Sequence, residues 1–489
     1  MPNCFLYKTN FRLVFLLCLV STTGFAQSPR PAPATYAGTA KINFIRTWDA
    51  TAPEQSATTI MTRPLRDVKQ ATQYFDGLGR PLQTVVKEGS LETLSGTKKD
   101  LISATEYNAL GREPFQYAAF ASTTSDGLFK LDPFQQQATF MNAQYGTQSE
   151  TFFYSQSVFE ASPLNRVLET YAPGNSWAGS SWKTLEDDRH GIKIKYWVNT
   201  ITDDVKKWTV ADVVNSWGGY AVSGAYAAGD LFKTVMVNEQ GKQVAEFKDK
   251  EGRIILKKVQ LTATADNGAG SGYPGWLCTY YIYDDLNHLR CVIQPEGVKA
   301  ITGPWALTTA LLTDQCFRYE YDYRSRMIRK KTPGADEVWM VYDAKDRLVM
   351  TQDANMRQAT QKKWMYTVYD NLNRPIVTGL LTDNTNYNNL VFHLDAAKAA
   401  ITSYPDLAAY TTEELTRIFY DSYTWRASWG NPLTATYNNT YDSYFQPISN
   451  ITWPYGQANT QSALLKGMVT GSRVKVLGTA TYLLMNIRN

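Results

Sequence analysis

The sequence predicts a mainly β protein built from repeated β-hairpins. Three observations carry that reading: an aromatic-rich, charge-poor composition, a short loop pattern that recurs seven times, and β-branched or aromatic runs on both sides of each loop. Of 489 residues, 13% are aromatic and 19% charged. Such a chain can bury a sizeable core, and it has neither the charge density of a disordered polymer nor that of a coiled coil. Tyr (31) outnumbers Phe (20), which suits half-wet sheet faces where a ring packs and its hydroxyl still finds a partner. Three histidines leave little room for a multi-histidine metal site.

The first 26 residues place Lys8 and Arg12 ahead of an apolar run from Leu13 to Val20, followed by small and polar residues up to Ala26. This is the layout of a secretory signal peptide. The run is too short to span a bilayer, and cleavage is expected between Ala26 and Gln27. No later stretch is apolar enough to cross a membrane. Losing Lys8 and Arg12 with no acid lowers the formal charge from +4 to +2, and no basic block remains to attract nucleic acid. Cys278, Cys291 and Cys316 are left in the mature chain. An odd count leaves at least one thiol unpaired, and Cys278 and Cys291 flank a predicted turn across which they either face each other or lie buried as thiols. Residues 27–41 are rich in proline and read as a flexible linker.

The recurring pattern is Asp or Asn, two variable residues, a residue that tolerates positive φ, then Arg or His. Its copies begin at Asp76, Asn108, Asp249, Asp284, Asp322, Asp343 and Asp370. The leading side chain can accept a bond from a backbone N–H two residues on and so start a reversal. Three places later stand Gly79, Gly111, Gly252, Asn287, Ser325, Asp346 and Asn373, mostly residue types that accept the left-handed conformation; Ser325 fits least well. Arg80, Arg112, Arg253, His288, Arg326, Arg347 and Arg374 close the copies. In six copies the residue before the Asp or Asn is aromatic. Strands are expected before the loops (278–283, 338–342, 364–369) and after them (253–259, 347–351, 374–378). Lone hairpins are marginal in water, so successive units should pair into one continuing sheet.

Between Asn108 and Asp249 only imperfect variants occur, at Ser162 and Asn238, so this stretch reads as an insertion with a helix at 132–145 and strands at 192–198 and 234–238. Helical stretches are expected near 296–312 and at 394–420 with a break at Pro405. A final hairpin is expected at 472–487, with no partner after its last strand. The expected organisation is a signal peptide (1–26), a linker (27–41), an N-terminal β-rich domain with two hairpins and the insertion (42–240), a repeat region (241–380), and a mixed helical and β segment leading into an incomplete repeat (381–489).

The strings YDAKDRLVM at Tyr342 and YDNLNRPIV at Tyr369 resemble the YD repeat of the Rhs family, and the likeness recurs at 74–86 and 107–112. Residues 42–179 resemble the uncharacterised N-terminal domain of exported Rhs-type proteins of Gram-negative bacteria. The resemblance implies a β-sheet spiralling into a partial or complete shell around a C-terminal toxin or effector. No core processing motif or effector domain follows Asp370, so the sequence is expected to be the N-terminal part of a longer protein or a truncated copy. Its expected partner is its own continuation or a cargo domain.

Motifs for metalloproteases, serine hydrolases, P-loops and paired C-x-x-C sites are absent from the sequence, and neither a catalytic residue, a cofactor nor a metal site is expected. His190, His288 and His393 stand far apart. The acidic run from Glu186 to Asp188 is followed by Arg189, which opposes a cation. Asp249, Glu251, Asp284 and Asp285 lack the dense ligand order of a calcium loop, and turn capping accounts for the leading acids. Trp177, Trp182, Trp208 and Trp217 in the insertion carry an alternative reading, a cell-surface carbohydrate-binding module. The leading reading is a non-enzymatic, exported scaffold or encapsulating wall.

Overall fold

The computed structural model describes residues 30–51, 54, 56–91, 97–214, 216–262, 269–401, 403–430, 438–444 and 463–487. The leader and the Ala26–Gln27 junction lie outside the described residues. The chain is mainly β, with antiparallel sheets and a few short helices. A first sheet orders strands Asn43–Ala50, Val68–Phe75, Pro81–Leu91, Lys98–Ala104 and Phe120–Ala121. It leads through a single bridge, Thr105 to Gln116, into an eighteen-stranded ribbon that follows chain order from Phe115–Tyr117 to Tyr482–Asn486. The ribbon is open. Among the described residues, Tyr482–Asn486 pairs with Val469–Lys475, Phe115–Tyr117 pairs with Tyr154–Phe159, and no ladder joins the two end strands.

Opposed residues of an antiparallel pair share a face, so the register identifies one buried face along the ribbon. Leu256 lies opposite Tyr280, Tyr280 opposite Ile293, and Ile293 opposite Cys316. Further on, Val341 lies opposite Met350, and Met350 opposite Tyr366. Two core clusters form where other elements cover this face. A separate hairpin, Lys206–Ala211 with Gly219–Ala225, covers the first around Tyr280, together with Trp305 and Leu311. Helix Leu390–Ala399 covers the second, burying Leu390 and Ala397 against Trp364 and Leu381.

Several sequence expectations change. The helix at Pro133–Tyr145 starts where expected, with Asp132 as its cap residue and Pro133 at its first position. The expected helical stretch 394–420 is helical only in its first part: Leu390–Ala399 is a helix, whereas Thr411–Tyr420 is a strand held between Pro375–Thr382 and Val469–Lys475. Two ladder partners outweigh the helix propensity of Glu413, Glu414 and Leu415. The ribbon also runs through the expected boundaries at 240 and 380, since Phe232–Val237 pairs with Gln243–Lys248 across the first and Pro375–Thr382 spans the second. The linker is pinned where it is described: the Arg30 guanidinium grips both Glu106 carboxylate oxygens at 2.6 and 2.8 Å and lies over the Phe115 ring.

Cys278 does not face Cys291. Cys278 stands opposite Lys258, and Cys291 stands opposite Ile282 and Arg318. All three thiols are free and buried.

Candidate functional site

The recurring loops share one geometry. At Asp76, Oδ1 accepts the N–H groups of Leu78 and Arg80 at 2.9 Å each, Oδ2 accepts Arg80 Nε at 2.7 Å, and the Asp76 N–H donates to the Arg80 carbonyl. These bonds hold the Asp76 carboxyl below the usual carboxylate range, the Arg80 amide contributing most. Asn108 receives the amides of Leu110 and Arg112 in the same way. Asp249, Asp322, Asp343 and Asp370 each receive the amide and the Nε of their closing Arg253, Arg326, Arg347 and Arg374. Asp284 receives the His288 amide, with the imidazole Nδ1 3.2 Å from Oδ2. The residue before each closing Arg or His is left-handed: φ is +77° at Gly79, +74° at Gly111, +82° at Gly252, +67° at Asn287 and +62° at Asn373. Ser325 and Asp346 also adopt φ of +62°. Asn238 repeats the full loop, with Gly241 at +76°.

Successive loops are tied together by their arginines. Arg80 lies over the Tyr107 ring, Arg253 over Tyr283, Arg326 over Tyr342, Arg347 over Tyr369 and Arg374 over Tyr420. In each case the ring precedes the leading residue of the next loop. His288 takes the same place, stacked on Tyr321 at 4.5 Å. The tyrosines reach back: Tyr107, Tyr321, Tyr369 and Tyr420 donate to the carbonyls of Pro81, Leu289, Leu348 and Pro375, each the residue after the preceding Arg or His. The arginine forks also bridge forward, Arg253 to Asn287, Arg326 to Asp346, Arg347 to Asn373 and Arg374 to Asp421. The aromatic-Asp-x-x-Gly-Arg string therefore encodes a tie between neighbouring hairpins as well as a turn.

Two more loops belong to the series and are hidden by insertions. Asn199 donates its N–H to the Leu231 carbonyl and accepts the Leu231 amide at Oδ1, as a leading residue does, and the 206–225 hairpin lies between them. Asp421 donates to the Met468 carbonyl and accepts the Gly467 amide, with Gly467 at φ +86°. Arg374 holds the Asp421 carboxyl down to about 2.

The inserted hairpin docks through polar contacts. Its Lys206 amide donates to the Tyr280 hydroxyl, Tyr220 donates to the Arg290 carbonyl, and the Gly218 amide donates to buried Glu320 at 2.7 Å. Arg290 binds Glu320, Asp212 and Asp284. A cavity of about 440 Å³ is lined by Asp212 and Val213 of the hairpin tip and by Leu394 and Lys398 of the helix. Its floor cations Arg290 and Arg326 are already paired with acids.

Of the four tryptophans singled out, Trp208 is buried in the core and Trp217 lies beneath the Arg318 guanidinium at 4.5 Å. Trp177 and Trp182 are 38% and 49% exposed, and the His190 imidazole stands edge-on to Trp177. Arg189 pairs with Glu169 rather than with the adjacent acids, while Glu186 faces Lys193 and Lys195. Among the described residues no group of three or more His, Cys, Asp or Glu is placed to hold a metal ion, and no helix is long and apolar enough to cross a membrane.

The model of a domain of unknown function, DUF6443, matches residues 46–191, which take in most of the first sheet and the start of the ribbon. No curated protein matches the chain. Among solved structures the chain is similar to the crystal structure of TcdB2-TccC3-TEV, at 12% identity and a TM-score of 0.44, covering 88% of this chain and 16% of that one. It is also similar to the Photorhabdus luminescens Tc holotoxin pore, at 13% identity and a TM-score of 0.43, covering 84% and 15%. The chain spans about a sixth of the length of these solved chains.

Proposed function

We propose that the chain is a non-enzymatic, exported scaffold, a stretch of wall belonging to a larger cell-surface or secreted protein that carries a toxin or effector. The observation that carries this reading is the continuous ribbon, in which the same arginine-on-aromatic tie recurs between successive hairpins from Arg253 over Tyr283 to Arg374 over Tyr420, with His288 on Tyr321 in one place, and in which the loop capping persists where a loop has been opened to admit an insertion. Ties that recur from hairpin to hairpin suit a continuous wall better than a single catalytic cleft. The test is to co-express the chain with the product of the coding sequence immediately downstream and to follow limited proteolysis of that product. Slowed digestion of the downstream product in the presence of the chain supports a wall; equal digestion with and without it refutes one. Export is tested separately by the N-terminus of secreted protein, expected at Gln27.

A second reading, binding of cell-surface glycans, rests on exposed Trp177 and Trp182, whose rings are not consumed by the core. A glycan array probed with the full chain, and with Trp177→Ala, tests it. Trp208 and Trp217 are already engaged in packing and should not contribute.

A further inference from the structure

The ribbon has a second face, and over five neighbouring strands that face is apolar. Ile194, Met236, Val244, Val259 and Leu277 lie opposite one another in turn, one on each of Ile192–Val198, Phe232–Val237, Gln243–Lys248, Ile254–Gln260 and Trp276–Tyr283, and so form a single row. Their chain neighbours Val235, Ala245, Lys258 and Cys278 are buried, so the row points away from the core. Met236 is 45% exposed, and none of the five belongs to a core cluster. Two places along, Phe232 and Val198 oppose each other, and both are exposed. Strand Ile192–Val198 is reversed in polarity: Ile192, Ile194, Tyr196 and Val198 take the outward face, while Lys193 and Lys195 take the inward one and pair with Glu186. Between the apolar positions runs a polar row of Tyr196, Thr234, Glu246, Lys257 and Thr279, in which Glu246 pairs with Lys257 at 3.3 Å. Strand spacing and rise give the patch a footprint of about 20 by 20 Å, or about 400 Å². That is the size of the apolar centre of an ordinary dimer contact, which covers about 800 Å² of each partner once its polar rim is counted.

We propose that this outward face is a contact between two copies of the chain, stacked sheet on sheet about a two-fold axis parallel to the strands and running between Gln243–Lys248 and Ile254–Gln260. The order of side chains across the patch is what selects a second copy. The axis exchanges the two central strands, so Val244 meets Val259 of the second copy, Met236 meets Leu277, Thr234 meets Thr279 and Glu246 meets Lys257, each contact occurring twice. Apolar groups fall on apolar groups, and the acid falls on the base. Moving the axis onto Gln243–Lys248 would set Glu246 over its own copy, which like charge opposes. Lys248 falls over Ile254 of the second copy, where its methylene stem covers the apolar side chain and its ammonium stays in water. Twisted sheets stacked in this way keep their strands within about 30° of one another, so the matched rows stay in contact near the axis. The contact requires neither export nor a cargo and stands apart from the wall reading.

The full chain is followed by sedimentation velocity over a micromolar concentration series and should pass from monomer to dimer. Glu246→Lys, which sets like charges over each other, and Val244→Lys should each weaken the dimer at least about tenfold. Combining Glu246→Lys with Lys257→Glu restores opposite charges within each copy and between copies, and should return the affinity to within about threefold of wild type. Leu372→Lys, at an exposed loop tip off this face, should leave it unchanged. Melting curves establish that each variant is folded. Orientation is read on a face left otherwise intact: a mixture of Met236→Cys and Leu277→Cys chains should cross-link through a short bis-maleimide at least about fivefold more than either variant alone. A chain that stays monomeric throughout, a dimer that both lysine variants leave intact, or cross-linking no greater in the mixture than in the single variants overturns the proposal.

Discussion

Gly252 holds φ at +82° in open space, with nothing within 4 Å of where a Cβ would stand. The cost of a side chain there is conformational rather than steric crowding by neighbours. Gly252→Val should destabilise the chain by about 1–2 kcal/mol and Gly252→Asn by clearly less, because Asn adopts the left-handed region at Asn287 and Asn373 of sister loops. Denaturant midpoints of the two variants check this, and equal losses would mean that the turn does not set the penalty. Lys258 offers a different measurement. Its side chain is fully buried, its ammonium donates to the carbonyls of Gly270 and Gly272 at 3.0 and 2.6 Å, and burial pushes its pKa from 10.5 down to about 8. Below pH 8 both folded and unfolded chains keep the proton and the burial penalty is fully present. Between about 8 and 10.5 the folded chain releases its proton first, so this group's contribution to stability rises with pH, by up to about 3 kcal/mol. Melting curves of wild type and Lys258→Met across that window should show the difference between the two shifting in favour of wild type as pH rises.

At the scale of hairpins, the arginine ladder predicts that neighbouring units are coupled through specific pairs. Arg347 bonds Asp343 in its own loop and Asn373 in the next, with its guanidinium 5.0 Å from the Tyr369 ring centre. A double-mutant cycle of Arg347→Ala and Tyr369→Ala should return a coupling of about 0.5–1 kcal/mol, and the distant pair Arg347 and Tyr283 none. This layer was only half legible in the sequence. The Asp and Asn turns at Asp76 through Asp370 could be recognised because their bonds are local and the chemistry of an Asx turn is written in five consecutive residues. The role of the preceding tyrosine was not, since its partner is the arginine of the previous loop, at variable distance along the chain. Asn199 escaped recognition for the same reason: the amide it caps belongs to Leu231, thirty-two positions away. Thr411–Tyr420 was misread as helix because its two ladder partners are supplied by remote strands.

Over the whole molecule, the ribbon makes stability a property of position. Each strand contacts chiefly its neighbours, so opening should proceed from the ends inward rather than all at once. Among the described residues, the last strand of the ribbon, Tyr482–Asn486, has one ladder and exposes Leu483 and Met485, with no core cluster over it. Strands Trp276–Tyr283 and Leu289–Ile293 lie between two partners each and beneath the inserted hairpin, with Tyr280, Ile282, Cys291 and Ile293 enclosed. Hydrogen exchange followed by mass spectrometry should therefore grade along the chain, fastest at Tyr482–Asn486 and slowest at Trp276–Ile293. Glu320 adds a second feature, because it is buried and receives both the Gly218 amide of the hairpin and the Arg290 guanidinium of the ribbon. Glu320→Leu removes the acceptor for both, leaving a buried cation without one of its carboxylates, and should release the hairpin and speed exchange in 276–293 while leaving the ladder at Arg347 and Tyr369 protected. If exchange instead rises uniformly along the ribbon, the hairpin is part of one cooperative unit, and a ribbon that opens stepwise from its ends is the wrong description.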